Sequence, residues 1–376
     1  MKNRAGEYIV ALHGALSYKA YKPNSLPPFP NLEIDEEMMS LLSEAHNLLG
    51  RLDMLAELLP DKELFLGAYV RKEALLSSQI EGTQATLEDI LDPEIEISTN
   101  LDVGDVVNYI NALNYAISEM KSLPLCNRLL CMTHRVLMDG VRGQEKSPGE
   151  FRKSQNWIGA KNSTLATARY IPPTVDDMKI AMSELEKYIN ENETDILIKT
   201  ALVHYQFETI HPYLDGNGRI GRMLITLMLL DSQILKSPIL YLSLFLKTNR
   251  IEYYDRLSEV RNKGNYEQWV KFFLTGVVAT CKDSISTIER ISLLIKTDTQ
   301  KIQKESVSVK KVYEYLKEHP IINIKGAATA LDLSFNTIAT ALNKLSAIGI
   351  VHEQTSKARS RIFDYSAYIE ILKSGI

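Results

Sequence analysis

Apolar positions recur at three- and four-residue steps along most of this chain, the period of an amphipathic helix. Leu41, Leu42, Ala45, Leu48, Leu49 and Leu52 set the pattern from Glu36 onward. A second helix is predicted from about Asp61 to Glu81, with Gly82 as its stop. Thr86 opens a third, with a hydroxyl cap and the acids Glu88 and Asp89 in its first turn. The period continues over about 104–120, 125–139, 174–191, 193–210, 218–231, 250–262 and 266–295. The period-two signal of strands is nearly absent before residue 350. Two stretches break the pattern. Residues 1–35, with Pro23, Pro27, Pro28 and Pro30, read as extended chain wrapped over a body. Phe151 to Pro173 reads as a short β-hairpin or a long flap, and a loop of that length in a compact domain is usually functional.

The pattern shifts near Thr297–Ser306, which is polar and reads as a linker or a helix end. Beyond it, Val309, Val312, Tyr313 and Leu316 fit one helix, and Ile324 to Leu331 a second. Ile338, Ala341, Leu342 and Leu345 fit a third, with Ser334, Asn336, Thr337, Thr340, Asn343 and Lys344 on its polar face. Alternating residues with a basic turn (Lys357, Arg359, Arg361) follow. Three helices and a basic hairpin predict a winged helix-turn-helix domain.

Composition narrows the function classes. At about 150 residues per domain, 376 residues suggest two or three domains with real cores. With 45% hydrophobic and 24% charged residues, disorder and collagen-like or purely coiled-coil chains are excluded. Lys and Arg number 43 against 47 Asp and Glu, a net charge of −4, which argues against wholesale nucleic-acid binding. Residues 304–376 hold 10 basic and 7 acidic residues, so a local DNA contact through that region stays open. Cys126, Cys131 and Cys281 are odd in number and lack C-x-x-C spacing, as free thiols of a reducing compartment would. The first residues lack a signal-peptide pattern, and no apolar run reaches about 18 residues. A cytoplasmic protein without a membrane span is expected.

The chemistry concentrates between Ile210 and Arg222, in IHPYLDGNGRIGR. A helix must end near His211, because Pro212 cannot continue it. Gly216-Asn217-Gly218 allows a tight turn, and an apolar helix follows at once. Free N–H groups at a helix start form an anion site. Arg219 and Arg222 are three residues apart, predicting one shared face beside it. Two guanidiniums and a backbone nest suit a polyphosphate. Asp215 could hold a Mg²⁺ that bridges phosphates, and His211 could take a proton from a hydroxyl. Gly216, Gly218 and Gly221 also satisfy G-x-G-x-x-G, but a helix rather than a strand precedes them, which excludes the dinucleotide fold. His204 and Glu208 share a helix face without H-E-x-x-H spacing, and read as structural.

His211 to Arg222 resembles the Fic family signature H-P-F-x-(D/E)-G-N-G-R-x-x-R, with Tyr213 for the usual Phe at a packing position. The resemblance implies an all-α Fic fold with a short β-hairpin flap, here joined to the winged helix. It implies an enzyme moving AMP from ATP to a Ser, Thr or Tyr hydroxyl of a target protein. His211 would be the general base and Asp215 the Mg²⁺ ligand. Gly216, Asn217 and Gly218 would form the anion hole, with Ile220 and Gly221 in the same segment. Arg219 and Arg222 would hold distal phosphates. Gly218, where related Doc kinases carry Lys, implies AMP transfer rather than phosphorylation. Gly149-Glu-Phe-Arg152 followed by Asn156, Trp157, Ile158 and Gly159 resembles the flap that docks target backbone. Tyr253, Tyr254 and Asn262 resemble positions contacting adenine and ribose. Ser77-Ser-Gln-Ile-Glu81-Gly82 resembles the inhibitory motif (S/T)-x-x-x-E-(G/N), whose glutamate would occupy the γ-phosphate place and could also support removal of AMP. The implied division is 1–100 with the inhibitory helix, 101–296 as the Fic core and 297–376 as the winged helix. A homodimer, and a DNA-binding regulator whose Fic core serves autoregulation, are the alternatives left open.

Overall fold

Asp35 lies just before the first run of helix formers, and its side chain accepts from the amide of Met38 at 2.9 Å. Helix α1 (Glu36–Glu57) therefore starts there, and its stripe Met38, Ala45, Leu49, Leu52 and Ala56 is buried. The stripe packs along α11 (Tyr266–Lys301), whose 36 residues reach about 54 Å. These coordinates are a computed structural model. They describe residues 3–12, 14, 17–59, 62–91, 100–160, 162–191, 194–354 and 361–374.

Between these two helices and the rest lie α2 (Lys62–Ile80), α3 (Leu87–Leu91), α4 (Leu101–Glu119), α5 (Asn127–Leu137) and α6 (Val175–Asn190). Then come α7 (Ile196–Ile210), α8 (Asn217–Asp231), α9 (Ser243–Thr248) and α10 (Arg250–Lys263). Every residue of α7 from Leu197 to Ile210 is buried, so this helix is covered on all sides and forms the centre of the core. It packs against α8, α6 and α11. Its rigidity fixes where its last residue, and hence His211, points.

Strands differ from expectation. Residues β1 (Gly6–Ala11) and β2 (Tyr18–Pro23) pair as an antiparallel hairpin, with Tyr8 opposite Tyr21. Tyr21 ties it down: its amide donates to the Ile171 carbonyl at 3.0 Å and its hydroxyl to that of Arg261 at 3.2 Å. The segment between the strands has no Asn-Gly or Asp-Gly pair, and Tyr8 and Val10 stay exposed, so neither turn signal nor buried alternation announced it. The predicted flap is less regular than a hairpin. Among its described residues it carries one antiparallel bridge, Ile158 with Tyr170.

The polar stretch after Thr297 is a helix end, since α11 continues to Lys301. Asp298 there is buried and accepts from the Tyr365 hydroxyl at 2.6 Å. Beyond it lie α12 (Val307–Glu318), β3 (Ile321–Asn323), α13 (Ile324–Leu331), α14 (Phe335–Ala347), β4 (His352–Glu353), β5 (Ile362–Asp364) and α15 (Ser366–Lys373). The three strands form one antiparallel sheet in the order β3-β5-β4. Ser334 caps α14, accepting from the amide of Thr337 at 3.1 Å. Lys357 and Arg359 of the predicted basic turn lie outside the described residues. Arg361 pairs with Glu353 at 2.6 Å and Lys344 with Glu305 at 3.3 Å. Among the described residues no helix is long and apolar enough to cross a membrane.

Leu49 is fully buried in the α1–α11 seam. Leu49→Ala is expected to lower unfolding free energy by about 2–5 kcal/mol, read from the midpoint of a urea titration.

Candidate active site

The corner between α7 and α8 needs two residues of positive φ: His211 at 51° and Gly216 at 76°. A Cβ on Gly216 would also meet Met138 Sδ at 3.0 Å and His134 Nε2 at 3.2 Å, so glycine is required twice over. Asn217 stitches the corner with its side chain. Its Oδ1 accepts from the Tyr213 amide and its Nδ2 donates to the Tyr213 carbonyl, both at 2.8 Å. Ile220 turns into the core, and its amide closes the first helical bond to Gly216 at 3.0 Å. The amides of Asn217, Gly218 and Arg219 consequently have no acceptor within α8.

An anion already sits there. The carboxylate of Glu81, just past α2, lies over Gly218, where any Cβ would collide with Oε1. Arg222 holds the same oxygen at 2.7 Å. Its Nε donates to Ser77 Oγ at 2.8 Å and its Nη2 to the Ser77 carbonyl at 2.9 Å. The guanidinium is buried; burial alone would favour losing its proton, but Glu81 outweighs that and holds it firmly charged. Gly221 allows a second close approach, that of Glu208.

Arg219 and Arg222 do not act on one point as their spacing predicted. Arg219 turns to the other side, to Asp105 at 3.3 Å and to within 4.0 Å of Asp215. Sixty degrees of helical offset is enough to send them to different partners, Arg222 to the end of α2 and Arg219 to α4, both of which pack on α8. Asp215 keeps a half-exposed carboxylate: Oδ1 accepts from the Gly216 amide at 2.7 Å, and Oδ2 meets Lys146 Nζ at 2.8 Å. Partial burial opposes its charge, but Lys146, that amide and Arg219 prevail and hold its carboxyl below the usual range.

His211 is half-buried with Nδ1 enclosed and without a hydrogen-bond partner among the described residues. Burial pushes its pKa down to about 4, against the opposing pull of Glu81, so the ring is neutral near pH 7. Its carbonyl accepts from Arg152 Nε at 3.1 Å and Asn156 Nδ2 at 3.2 Å. Asn156 thus belongs to the corner, whereas Trp157 and Ile158 are exposed at its edge and Gly159 follows them. Tyr253 is fully buried and its hydroxyl meets His204 Nε2 at 2.9 Å, which makes it a core residue. Tyr254 is half-buried within the electrostatic reach of Arg222 and Glu81. Asn262 is exposed and lines a separate hollow of about 510 Å³ with Tyr8, Tyr21 and Arg261.

Sequence reasoning missed four groups. His134, Asp105 and Lys146 reach the corner from distant helices and loops, and no local spacing marks them. Glu208 was read as structural. It is buried, Oε1 lacks a partner among the described residues, and burial, reinforced by Glu81, pushes its pKa up to about 7 despite Arg222.

A histidine, an acid, a glycine-rich helix start and a buried arginine thus converge in a helical body. The comparisons specify it. Residues 39–118 match the model of the Fic/DOC family N-terminal domain and residues 124–229 that of the Fic/DOC family. The chain thus carries a Fic/DOC N-terminal domain and a Fic/DOC domain within residues 39–229. It is 31% identical over 177 residues to a protein adenylyltransferase Fic of Culex quinquefasciatus, a match covering 46% of this chain and 31% of that protein. The Drosophila grimshawi protein of that name is 26% identical over 206 residues, covering 52% and 37%. The matched stretch is thus about a third of the length of these relatives. A Fic family protein of Desulfovibrio desulfuricans shares the fold, with a TM-score of 0.60, 20% identity and coverage of 89% of this chain and 97% of that one.

The buried acids and histidines oppose one another in pH dependence. His134, His204 and His211 have folded pKa values of about 4, below their unfolded values, so their stabilising contribution is present above about pH 6.5 and is lost as pH falls toward 4. Glu73 and Glu208, pushed up to about 7, do the reverse, and their contribution disappears as pH rises from about 4.5 through 7. Glu73→Gln is therefore expected to shrink the loss of stability between pH 5 and 8 and leave the acid-side loss intact, read as urea midpoints across that range.

Proposed function

We propose that this chain is a self-inhibited protein adenylyltransferase that moves AMP from ATP to a hydroxyl of a target protein. The observation that carries the reading is the placement of Glu81 on Arg222, over the free amides that begin α8. A carboxylate there takes the position that a terminal phosphate needs. Release of Glu81 would open the amides of Asn217, Gly218 and Arg219 to the phosphates and free Arg222 to hold the outermost one. The family relatives carry the adenylyltransferase name, and Gly218 leaves no lysine in the turn.

In transfer, neutral His211 would accept the proton of the target hydroxyl as that oxygen attacks the α-phosphorus. Pyrophosphate leaves in line, with the negative charge met by the helix-start amides and Arg222. A low-pKa imidazole is a weak base in the closed site; bringing the phosphates' negative charge near it raises its basicity. Asp215 suits Mg²⁺, which takes one or two carboxylates and completes its shell with phosphates and water. It is a single half-exposed carboxylate beside the phosphate site, and no cluster of three metal-binding side chains exists among the described residues. When bound, Mg²⁺ would neutralise phosphate charge. The exposed Trp157-Ile158 edge with its single bridge to Tyr170 supports docking of the target backbone on that segment. Tyr254 supports a base contact better than buried Tyr253, whereas Asn262, at the other end of α10, lines the separate hollow beside Tyr8 and Tyr21.

The order α12-β3-α13-α14-β4-β5 supports a winged helix-turn-helix for residues 297–376, with the core at 101–296 and the inhibitory helix within 1–100. The DNA-reading alternative draws little from it, because Lys344 and Arg361 already have acidic partners. The test is labelling with α-³²P-ATP. Glu81→Gly is expected to raise incorporation several-fold, and adding His211→Ala to lower it by about 10² to 10⁴. Unchanged labelling in both variants would remove the reading.

A further inference from the structure

His134 is buried with both ring nitrogens hydrogen-bonded. Nε2 donates to the Asp215 carbonyl at 3.0 Å, and Nδ1 accepts from the Gly149 amide at 2.9 Å. Those bonds fix the neutral Nε2–H tautomer, since Nδ1 can accept only when bare. The ring lies 3.8 Å from that of Tyr213, 7° from parallel, and would crowd any Cβ at Gly216. Three residues beyond Gly149, Arg152 is buried among carbonyls with no carboxylate beside it among the described residues. Its amide donates to Pro212 at 2.8 Å and its Nε to His211 at 3.1 Å. Segment 149–152 is thus bonded at its far end to His211-Pro212 and, through His134, at its near end to Asp215.

We propose that His134 is a positioning residue for this site: it pins the Asp215 carbonyl to segment 149–152, a strut whose other end holds His211. The strut sets the spacing between the base and the carboxylate that faces the phosphates. Within the corner Asn217 ties down Tyr213, while the Asp215 carbonyl is held by His134 from outside it. The inference rests on the reading of Asp215 as the metal carboxylate, and acts on that residue through its backbone. His134 touches no substrate.

The test uses the full chain in the Glu81→Gly background. His134→Phe keeps the stack on Tyr213 and deletes both bonds; His134→Gln supplies a donor and an acceptor on one side chain. The tightening of ATP binding on addition of Mg²⁺ is measured by calorimetry, alongside amide hydrogen exchange of residues 211–216 without nucleotide. In His134→Phe the Mg²⁺-dependent tightening is expected to fall about 10- to 100-fold, the usual scale for losing an outer partner of a metal ligand. Exchange at the corner should accelerate, binding of ATP in EDTA should change little, and His134→Gln should restore most of both readouts. Phe and Gln variants that lose equally reduce His134 to packing and overturn the proposal. So does a Phe variant with unchanged exchange. If the Glu81→Gly parent binds no ATP, the functional reading fails, and the exchange comparison still decides whether the strut exists.

Discussion

The buried guanidinium of Arg222 sits on an anion of the protein itself. Arg222 lies in the interior at the start of α8, and leaving such a charge unpaired costs about 3–5 kcal/mol. Ser77 supplies two hydrogen bonds but no charge, so Glu81 completes the shell. The same electrostatic demand explains how one arginine can serve a closed protein and a nucleotide-bound one: an acid and a phosphate are interchangeable partners. The inhibition proposed above would require no separate lock. It follows from placing an acid of the molecule itself where the arginine and the helix-start amides already attract negative charge.

The α7–α8 corner can make this arrangement because its helices approach closely. Gly218 and Gly221, one turn apart, admit the carboxylates of Glu81 and Glu208 against the helix backbone. Larger residues at either position would push the acids outward. Crowding two acids against one arginine has an electrostatic consequence. Glu81 takes the ion pair, and Glu208, enclosed and repelled by it, is held largely neutral at mildly acidic pH. His211 is neutral for the mirror-image reason, since burial disfavours its cation. At mildly acidic pH the Arg222–Glu81 pair is therefore flanked by two uncharged titratable groups.

The rest of the fold supports the corner from several directions. Helix α7, buried throughout, aims His211. Helix α2 brings Ser77 and Glu81 from more than a hundred residues away. Asp105 on α4 draws Arg219 to the opposite side, which separates the two arginines that the sequence pattern grouped. Tyr253 is likewise spent inside, bonded to His204.

Sequence alone determined the helical class, most helix positions, the turn at His211–Arg222 and its family. Those features depend on neighbours in the chain: apolar period, a proline that stops a helix, glycines that permit positive φ. It also marked Ser77 and Glu81, because their motif is local and lies on one helix turn. Only the tertiary structure decided that Arg219 turns to Asp105, and that His134 and Lys146 reach Asp215. It also revealed the hairpin of residues 6–23, whose loop carries no short turn signature and whose first strand is largely exposed. Pairings between distant segments are set by which surfaces the packed helices bring together, and no spacing within a single helix encodes them.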